Sequence, residues 1–329
     1  MTGVRCFCKY VLRVLASGRA MLGSFLRLPP LHQIASRSAP VRLALSGAAL
    51  AAACLLAACA NQGLALPKVG GPIPVSPPHQ ETAAERAYWD QLAPARIIYI
   101  GETHSSNADH EYQLDVLKGL KTRGVNFTVA WEMFDFTQQP VLDAWNTHHL
   151  TTEGMLDKTD FQPHWGTYSV MYEKILRWTE MEGIPSFALN APDPLAHKLA
   201  QGAPLTPEET AQLPTGFRPL SGGYDHFIEQ MGQAPHAGAN PENFYQAQLL
   251  WDQTMASRIV DFINSHPDSK LVVLIGRGHV DGGFGVPAFV SQKTRAAQLV
   301  VYPGGPDQMN TRPRGAIAWR AEPHAERTL

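Results

Sequence analysis

Beyond position 59 the chain contains no cysteine: the four in its 329 residues are Cys6, Cys8, Cys54 and Cys59. That excludes a disulfide framework, a thiolate zinc site and a cysteine nucleophile from everything that follows. Acidic residues are missing from the other end. None precedes Cys59, while Arg5, Lys9, Arg13, Arg19, Arg27, Arg37 and Arg42 all do. The remainder therefore holds 20 basic against 29 acidic residues, and this excess of acid argues against a partner whose affinity would come from clustered Lys and Arg on a phosphate backbone, so no nucleic acid is expected. Long apolar runs are missing too. Leu43–Ala58 is the longest uncharged apolar stretch, short of the roughly 20 residues of a bilayer-spanning helix. With 44% hydrophobic, 9% aromatic and 17% charged side chains, the composition is nevertheless globular, and wholesale disorder is not expected.

The basic, acid-free start followed by Leu43–Ala58 reads as a signal peptide. Its junction, Leu56-Ala57-Ala58-Cys59, resembles a bacterial lipobox, which implies acylation of Cys59. An ordinary signal peptide or a simple anchor helix is the plainer alternative. Ala60 follows where an Asp would imply inner-membrane retention, so the expected location is the bacterial cell envelope, on the outer membrane facing the periplasm. The next segment, rich in Pro and Gly and without apolar periodicity, reads as a tether. The expected organisation is a leader over 1–58, a tether over 59–84 and one α/β domain over 85–329.

Five apolar runs punctuate that domain: Arg96–Gly101, Asn126–Trp131, Pro185–Leu189, Lys270–Ile275 and Gln298–Tyr302. They are β-branched or aromatic and do not alternate, as in strands buried on both faces of a parallel sheet. Helical patterns separate them. Asp109–Arg123 stops at Gly124, and Tyr168–Glu182 stops at Gly183. The longest helix is expected to take Asn240 as N-cap and Pro241 as its first residue, and Thr206-Pro207-Glu208-Glu209 is a capping-box start. The fold class is therefore α/β, a mostly parallel sheet flanked by helices. The second-to-third and third-to-fourth intervals are long enough for an inserted helical subdomain.

Polar residues collect where these strands end. The first runs into Gly101-Glu102-Thr103-His104, the second into Glu132, the third into Asn190 and the fourth into Gly276-Arg277-Gly278-His279. In open α/β sheets ligands bind outside the carboxyl ends of strands. Glu102, His104, Glu132 and His279 are thus candidates either for a divalent-metal site that activates water or for metal-free acid–base catalysis by His with a supporting Glu. Each alone has a bland reading as a structural hydrogen-bonding or capping group. Gln248 and Asp252, at i and i+4 of the long helix, either reach that cleft or merely face solvent. A second collection is aromatic: His164, Trp165, Tyr168, Met171 and Tyr172 in one segment, and Tyr224, His226, Met231 and His236 in another. Tyr and His can ligate haem iron inside an apolar slot, and equally they fit a packed core.

GETHSSNADH, VAWEMF with Gln138-Gln139-Pro140, Ala188-Leu189-Asn190-Ala191-Pro192, FYQAQLLWDQTMASRI and VLIGRGHVDGGFGVP occur in that order between Arg96 and Pro287. The succession resembles the ChaN family of haem-binding lipoproteins. The resemblance implies a periplasm-facing lipoprotein of haem or iron uptake, with haem as cofactor at a homodimer contact, a tyrosine on the iron, and an outer-membrane haem or iron transporter as partner. Tyr168 and Tyr172 are the first candidates for that tyrosine and Tyr224 the next, with His164, His226 or His236 assisting. The same core resembles the wider superfamily of Tiki-type metalloproteases and erythromycin esterases, which implies Glu102, His104, Glu132 and His279 as the catalytic or metal group of a hydrolase. A structural lipoprotein with a vestigial cleft is the third reading.

Overall fold

In a computed structural model, residues 81–231, 240–303 and 315–321 are described, the last as backbone. The leader, Cys59, the tether and His236 lie outside the described residues. The described residues open on α1 (Ala83–Leu92), whose start is fixed by a reciprocal Thr82–Glu85 capping box. It then alternates: β1 (Ile97–Glu102), α2 (Asn107–Thr122), β2 (Phe127–Asp135), β3 (Ser186–Asn190), β4 (Lys270–Gly276) and β5 (Gln298–Pro303). Between β2 and β3 come α3 (Gln139–Asn146), α4 (Thr152–Lys158), α5 (Phe161–Trp165) and α6 (Ser169–Met181). Between β3 and β4 come α7 (Asp193–Ala200), α8 (Pro207–Thr210), α9 (Gly223–Met231) and the 25-residue α10 (Pro241–Ser265). Helix α11 (Val286–Lys293) precedes β5, and β6 (Gly315–Ala321) follows it.

The six strands lie in the order β3-β2-β4-β1-β5-β6. The first five in that order are parallel, and β6 pairs antiparallel with β5. All five apolar runs of the sequence are strands. The two long intervals carry the extra helices expected of them, Asn240 caps α10 through the Glu242 and Asn243 amides, and Thr206 caps α8 reciprocally with Glu209. Helix α2 begins two residues earlier than its apolar pattern suggests, because Ser106 accepts the Asp109 amide as N-cap.

Each of the five parallel strands buries residues on both faces, as its unalternating composition requires. On one side Ile98, Ile100, Val129, Trp131, Val272 and Leu274 pack with α1, α2 and the β2–β3 helices. On the other, Ile97, Tyr99, Ala130, Val273 and Ile275 pack chiefly against α10, whose buried stripe includes Phe244, Trp251, Met255, Ile259 and Phe262. Among the described residues no helix is long and apolar enough to cross a membrane.

Candidate functional site

Strand register assembles the site. Glu102 lies opposite Gly276 in the β1–β4 pair, and Trp131 opposite Leu274 in the β2–β4 pair. Glu102, Glu132 and the turn Arg277–His279 thus come together at one edge of the three central strands. Side-chain alternation then sends the two carboxylates to opposite faces. Glu102 shares the parity of Ile98 and Ile100 and meets α2 and α6, whereas Glu132 shares the parity of Ala130 and meets the α10 side.

Each carboxylate is nearly inaccessible, 1% for Glu102 and 5% for Glu132, so each must be paired. The His104 Nδ1–H donates to Glu102 Oε1 at 2.8 Å, and the Tyr172 hydroxyl donates to the same oxygen. His110 Nδ1 stands 3.1 Å from Glu102 Oε2, and His110 Nε2 lies 3.1 Å from the His104 carbonyl. Across the edge, the His279 Nδ1–H donates to Asp252 Oδ1 at 2.6 Å. Gln248 Nε2 donates to that Asp252 oxygen at 3.3 Å and to the Gly278 carbonyl at 3.4 Å. The other nitrogens of the two histidines converge on one atom: Glu132 Oε1 is 3.8 Å from His104 Nε2 and 3.4 Å from His279 Nε2. Glu132 Oε2 accepts the Gly276 amide at 2.5 Å. Two carboxylate-backed imidazoles therefore flank a third carboxylate.

Burial alone would raise the Glu102 carboxyl, but His110 and His104 outweigh it and hold the group well below the usual carboxylate range. Glu132 is lowered for the same reason, with His279 and His104 overcoming burial. Burial would lower His279, yet Glu132 and Asp252 push it up to about 10. His104 is raised against burial by its bond to Glu102 and the charge of Glu132. Burial raises Asp252. His279, pushed up to about 10, is thus protonated at neutral pH and turns its Nε2–H towards Glu132, while His104 keeps its Nε2 3.8 Å from the same oxygen.

A cavity of about 110 Å³ reaches this cluster, lined by Glu132, Phe161, His164, Trp165, Asn190 and Asp193 among others. Trp165 stands edge-on to His104 at 5.3 Å. His164 Nε2, at the rim, is 2.5 Å from Asp193 Oδ2. A separate groove of about 340 Å³ lies at α9, lined by Pro219, Leu220, Tyr224, Tyr245 and acidic Asp225 and Glu242. Tyr224 packs edge-on to Tyr245 at 5.3 Å, and its hydroxyl makes no hydrogen bond among the described residues. Two positions along α9, His226 stacks on Phe284 at 4.1 Å, with its Nε2 buried and unpartnered.

Residues 88–290 match the family described as haem-binding uptake, Tiki superfamily, ChaN. The chain belongs to the ChaN family. A solved structure of cofacial heme binding to ChaN of Campylobacter jejuni is similar with a TM-score of 0.52 at 17% identity, covering 71% of this chain and 91% of that one. This likeness extends the family's fold to the described core. Protein RETICULATA-RELATED 5, chloroplastic, of Arabidopsis thaliana is 25% identical over 239 residues, 66% of this chain. The match spans 32% of that protein's own length. The C-terminal region of Pasteurella multocida toxin gives a TM-score of 0.42 at 11% identity over 70% of this chain and 27% of that one.

Membership in a haem-binding uptake family supports haem binding by this chain, and the geometry sorts the candidates for it. Tyr172 is redirected: fully buried, with its hydroxyl committed to Glu102, it presents no oxygen to a ligand. Tyr168 sits half-buried in the turn Gly166–Tyr168, packed on the apolar cluster of the first face. Tyr224 lines a groove. His164 and His226 belong to different cavities, and His236 lies outside the described residues. The four strand-end residues do gather, but as partners of one another. Glu102 binds the Nδ1 side of His104, away from the Nε2 atoms, and among the described residues no three His, Cys, Asp or Glu side chains form a metal-binding group. Asp252 and Gln248 reach the cleft, which decides the open question about their helix face. His110 was not singled out by sequence. Its signal was the helix N-cap at Ser106, which fixes the first turn of α2 over the end of β1.

Proposed function

We propose that this chain is a lipid-anchored, haem-binding protein of the bacterial cell envelope that holds or passes haem during iron uptake, with Tyr224 as the ligand to the iron. The observation that carries the assignment is the Tyr224 hydroxyl, which has no hydrogen-bond partner among the described residues and borders the groove of about 340 Å³. Its surroundings suit a flat apolar ring: Pro219, Leu220 and Tyr245 supply apolar area, and desolvation in such a slot keeps water from the iron. Gly223 is part of the fit, since a Cβ there would stand 2.4 Å from the Tyr245 hydroxyl. Tyr224 would hold the haem, which would supply an iron centre; the protein's own part is to orient and shield it. Acylation at Cys59, outer-membrane location, homodimerisation at the haem contact and a haem or iron transporter as partner complete the proposal. They rest on the lipobox-like junction and the family.

The test is a hemin titration of the wild type, Tyr224→Phe and Tyr168→Phe, read by absorption and size exclusion. Saturable binding with a high-spin phenolate band, lost in Tyr224→Phe and kept in Tyr168→Phe, is expected. A spectrum that survives Tyr224→Phe refutes the ligand assignment, and no saturable binding by the wild type refutes the haem reading. Cys59→Ala should move the protein from membrane to soluble fractions.

A second reading, acid–base hydrolysis at the strand ends, is favoured by one specific observation: two carboxylate-backed imidazoles flanking Glu132 beside a cavity. It predicts turnover of a small ester that falls at least a hundredfold in both His104→Ala and His279→Ala, in line with the usual worth of general acid–base groups, about 10²–10⁴-fold. Equal rates in both variants and wild type would sink it.

A further inference from the structure

The haem reading of the Tyr224 groove leaves one thing unexplained, the cavity next to it. Pro219 lines that groove and also a larger cleft of about 450 Å³, bounded by Thr215, Arg218, Gln253, Phe289 and Lys293 among others. The two cavities thus adjoin across one residue, and their charges are opposite. The Tyr224 side carries Asp225 and Glu242; the far side carries Arg218 and Lys293.

Neither cation is ion-paired among the described residues. Lys293 Nζ donates only to Ser257 Oγ, at 2.7 Å. The Arg218 segment is held in place by Gln253, 5% exposed, whose Nε2 donates to the Arg218 carbonyl at 2.9 Å. Beyond position 58 acids outnumber bases by nine, and two cations that line one cleft without an ion-pair partner among the described residues mark a place where negative charge is received. Arginine in particular matches a carboxylate through two parallel N–H groups.

Resting on the haem reading, we propose that Arg218 and Lys293 form the subsite for the ligand's two propionate carboxylates. The porphyrin then lies across Pro219, apolar body towards Leu220 and Tyr245, acidic edge towards the cations. Asp225 and Glu242 oppose the reversed orientation by like-charge repulsion. The site is thus specific for an apolar macrocycle that is acidic along one edge.

The experiment compares hemin with hemin dimethyl ester, which keeps the ring and its vinyl groups and loses both negative charges. Both are titrated into the wild type and the Arg218→Ala/Lys293→Ala double variant. Both side chains are exposed, so the variant should fold, and circular dichroism checks it. Hemin is expected to bind the variant about tenfold more weakly, the effect of losing one or two charge-assisted contacts at an accessible site, with the phenolate band unshifted. The ester should bind both proteins alike. Hemin affinity within twofold of wild type, or an equal loss for the ester, overturns the subsite while leaving the haem reading standing. Failure of the wild type to bind hemin overturns both.

Discussion

Substituting Gly276 by Ala tests how tightly the buried cluster is built. Gly276 sits at φ −64° and ψ 141°, a backbone open to any L-residue, so no conformational strain enters. The cost is steric. A Cβ there would lie 2.9 Å from His104 Cε1, 3.0 Å from His104 Nε2 and 3.4 Å from Glu132 Oε2. The imidazole cannot simply swing away, because Glu102 holds its Nδ1 at 2.8 Å and Trp165 stands against its ring. Overpacking of this kind costs about 1–3 kcal/mol. Reduced freedom of the unfolded chain returns about 0.4–1 kcal/mol, so the net loss runs up to about 2.6 kcal/mol and centres on about 1.3 kcal/mol. Gly278 is the control, two residues on, with nothing within 4 Å of its Cβ position. Gly278→Ala should be neutral or slightly stabilising. Urea unfolding followed by tryptophan fluorescence measures both, and the His104 imidazole resonances should shift only in Gly276→Ala. If the two variants have equal stability and an unmoved His104, the packing argued for this edge is wrong.

Other consequences follow from the same geometry. Glu102→Gln keeps the shape but leaves His104 and His110 without their counter-charge, at about 3–5 kcal/mol for a broken buried pair; Tyr172→Phe removes one hydrogen bond to a charged group and should cost about 1.5–3 kcal/mol by the same unfolding measurement. The pH dependence has a definite sign. Burial opposes the His279 charge but Glu132 and Asp252 raise it from 6.5 to about 10, so its contribution is complete below 6.5 and disappears as pH rises towards 10. Glu102 and Glu132, lowered from 4.5, contribute fully above 4.5 and lose their share on acidification, partly offset by the raised Asp252. The melting temperature should therefore plateau near pH 5–6.5 and fall from pH 7 to 10, and His279→Gln should flatten the alkaline limb; an unchanged slope would contradict the pairing. Asn240→Ala should cost about 0.5–2 kcal/mol as a lost N-cap, measurable by thermal unfolding.

What the sequence disclosed followed the range of its signals. The parallel strands were legible because burial on both faces leaves short, unalternating apolar runs, and the α10 start was legible because Asn240-Pro241 acts within one turn. Glu102, His104, Glu132 and His279 were found together because strand ends share one edge in this topology. Less local features escaped. The Thr82–Glu85 capping box of α1 lies where the tether was drawn, across its end at 84. Strand β6 gains its partner only through antiparallel pairing with β5. His110 and Tyr172 join the cluster because α2 and α6 pack over β1, a tertiary fact with no counterpart in spacing. Tyr172, sought as a haem ligand, proved to be Glu102's hydrogen-bond donor for the same reason.

The strand order carries a kinetic consequence. The site draws on β1, β2 and β4, which neighbour one another in the sheet although β4 follows some 140 residues after β2 begins. Its carboxylates and imidazoles cannot meet until that long loop has closed, a slow event in folding. Until then Glu102, Glu132 and the histidines stay hydrated and separate, so the desolvated cluster forms late. Its perturbed proton resonances would thus be a timer for the last stage of folding, appearing only after helices formed from local contacts have already reached their native signal.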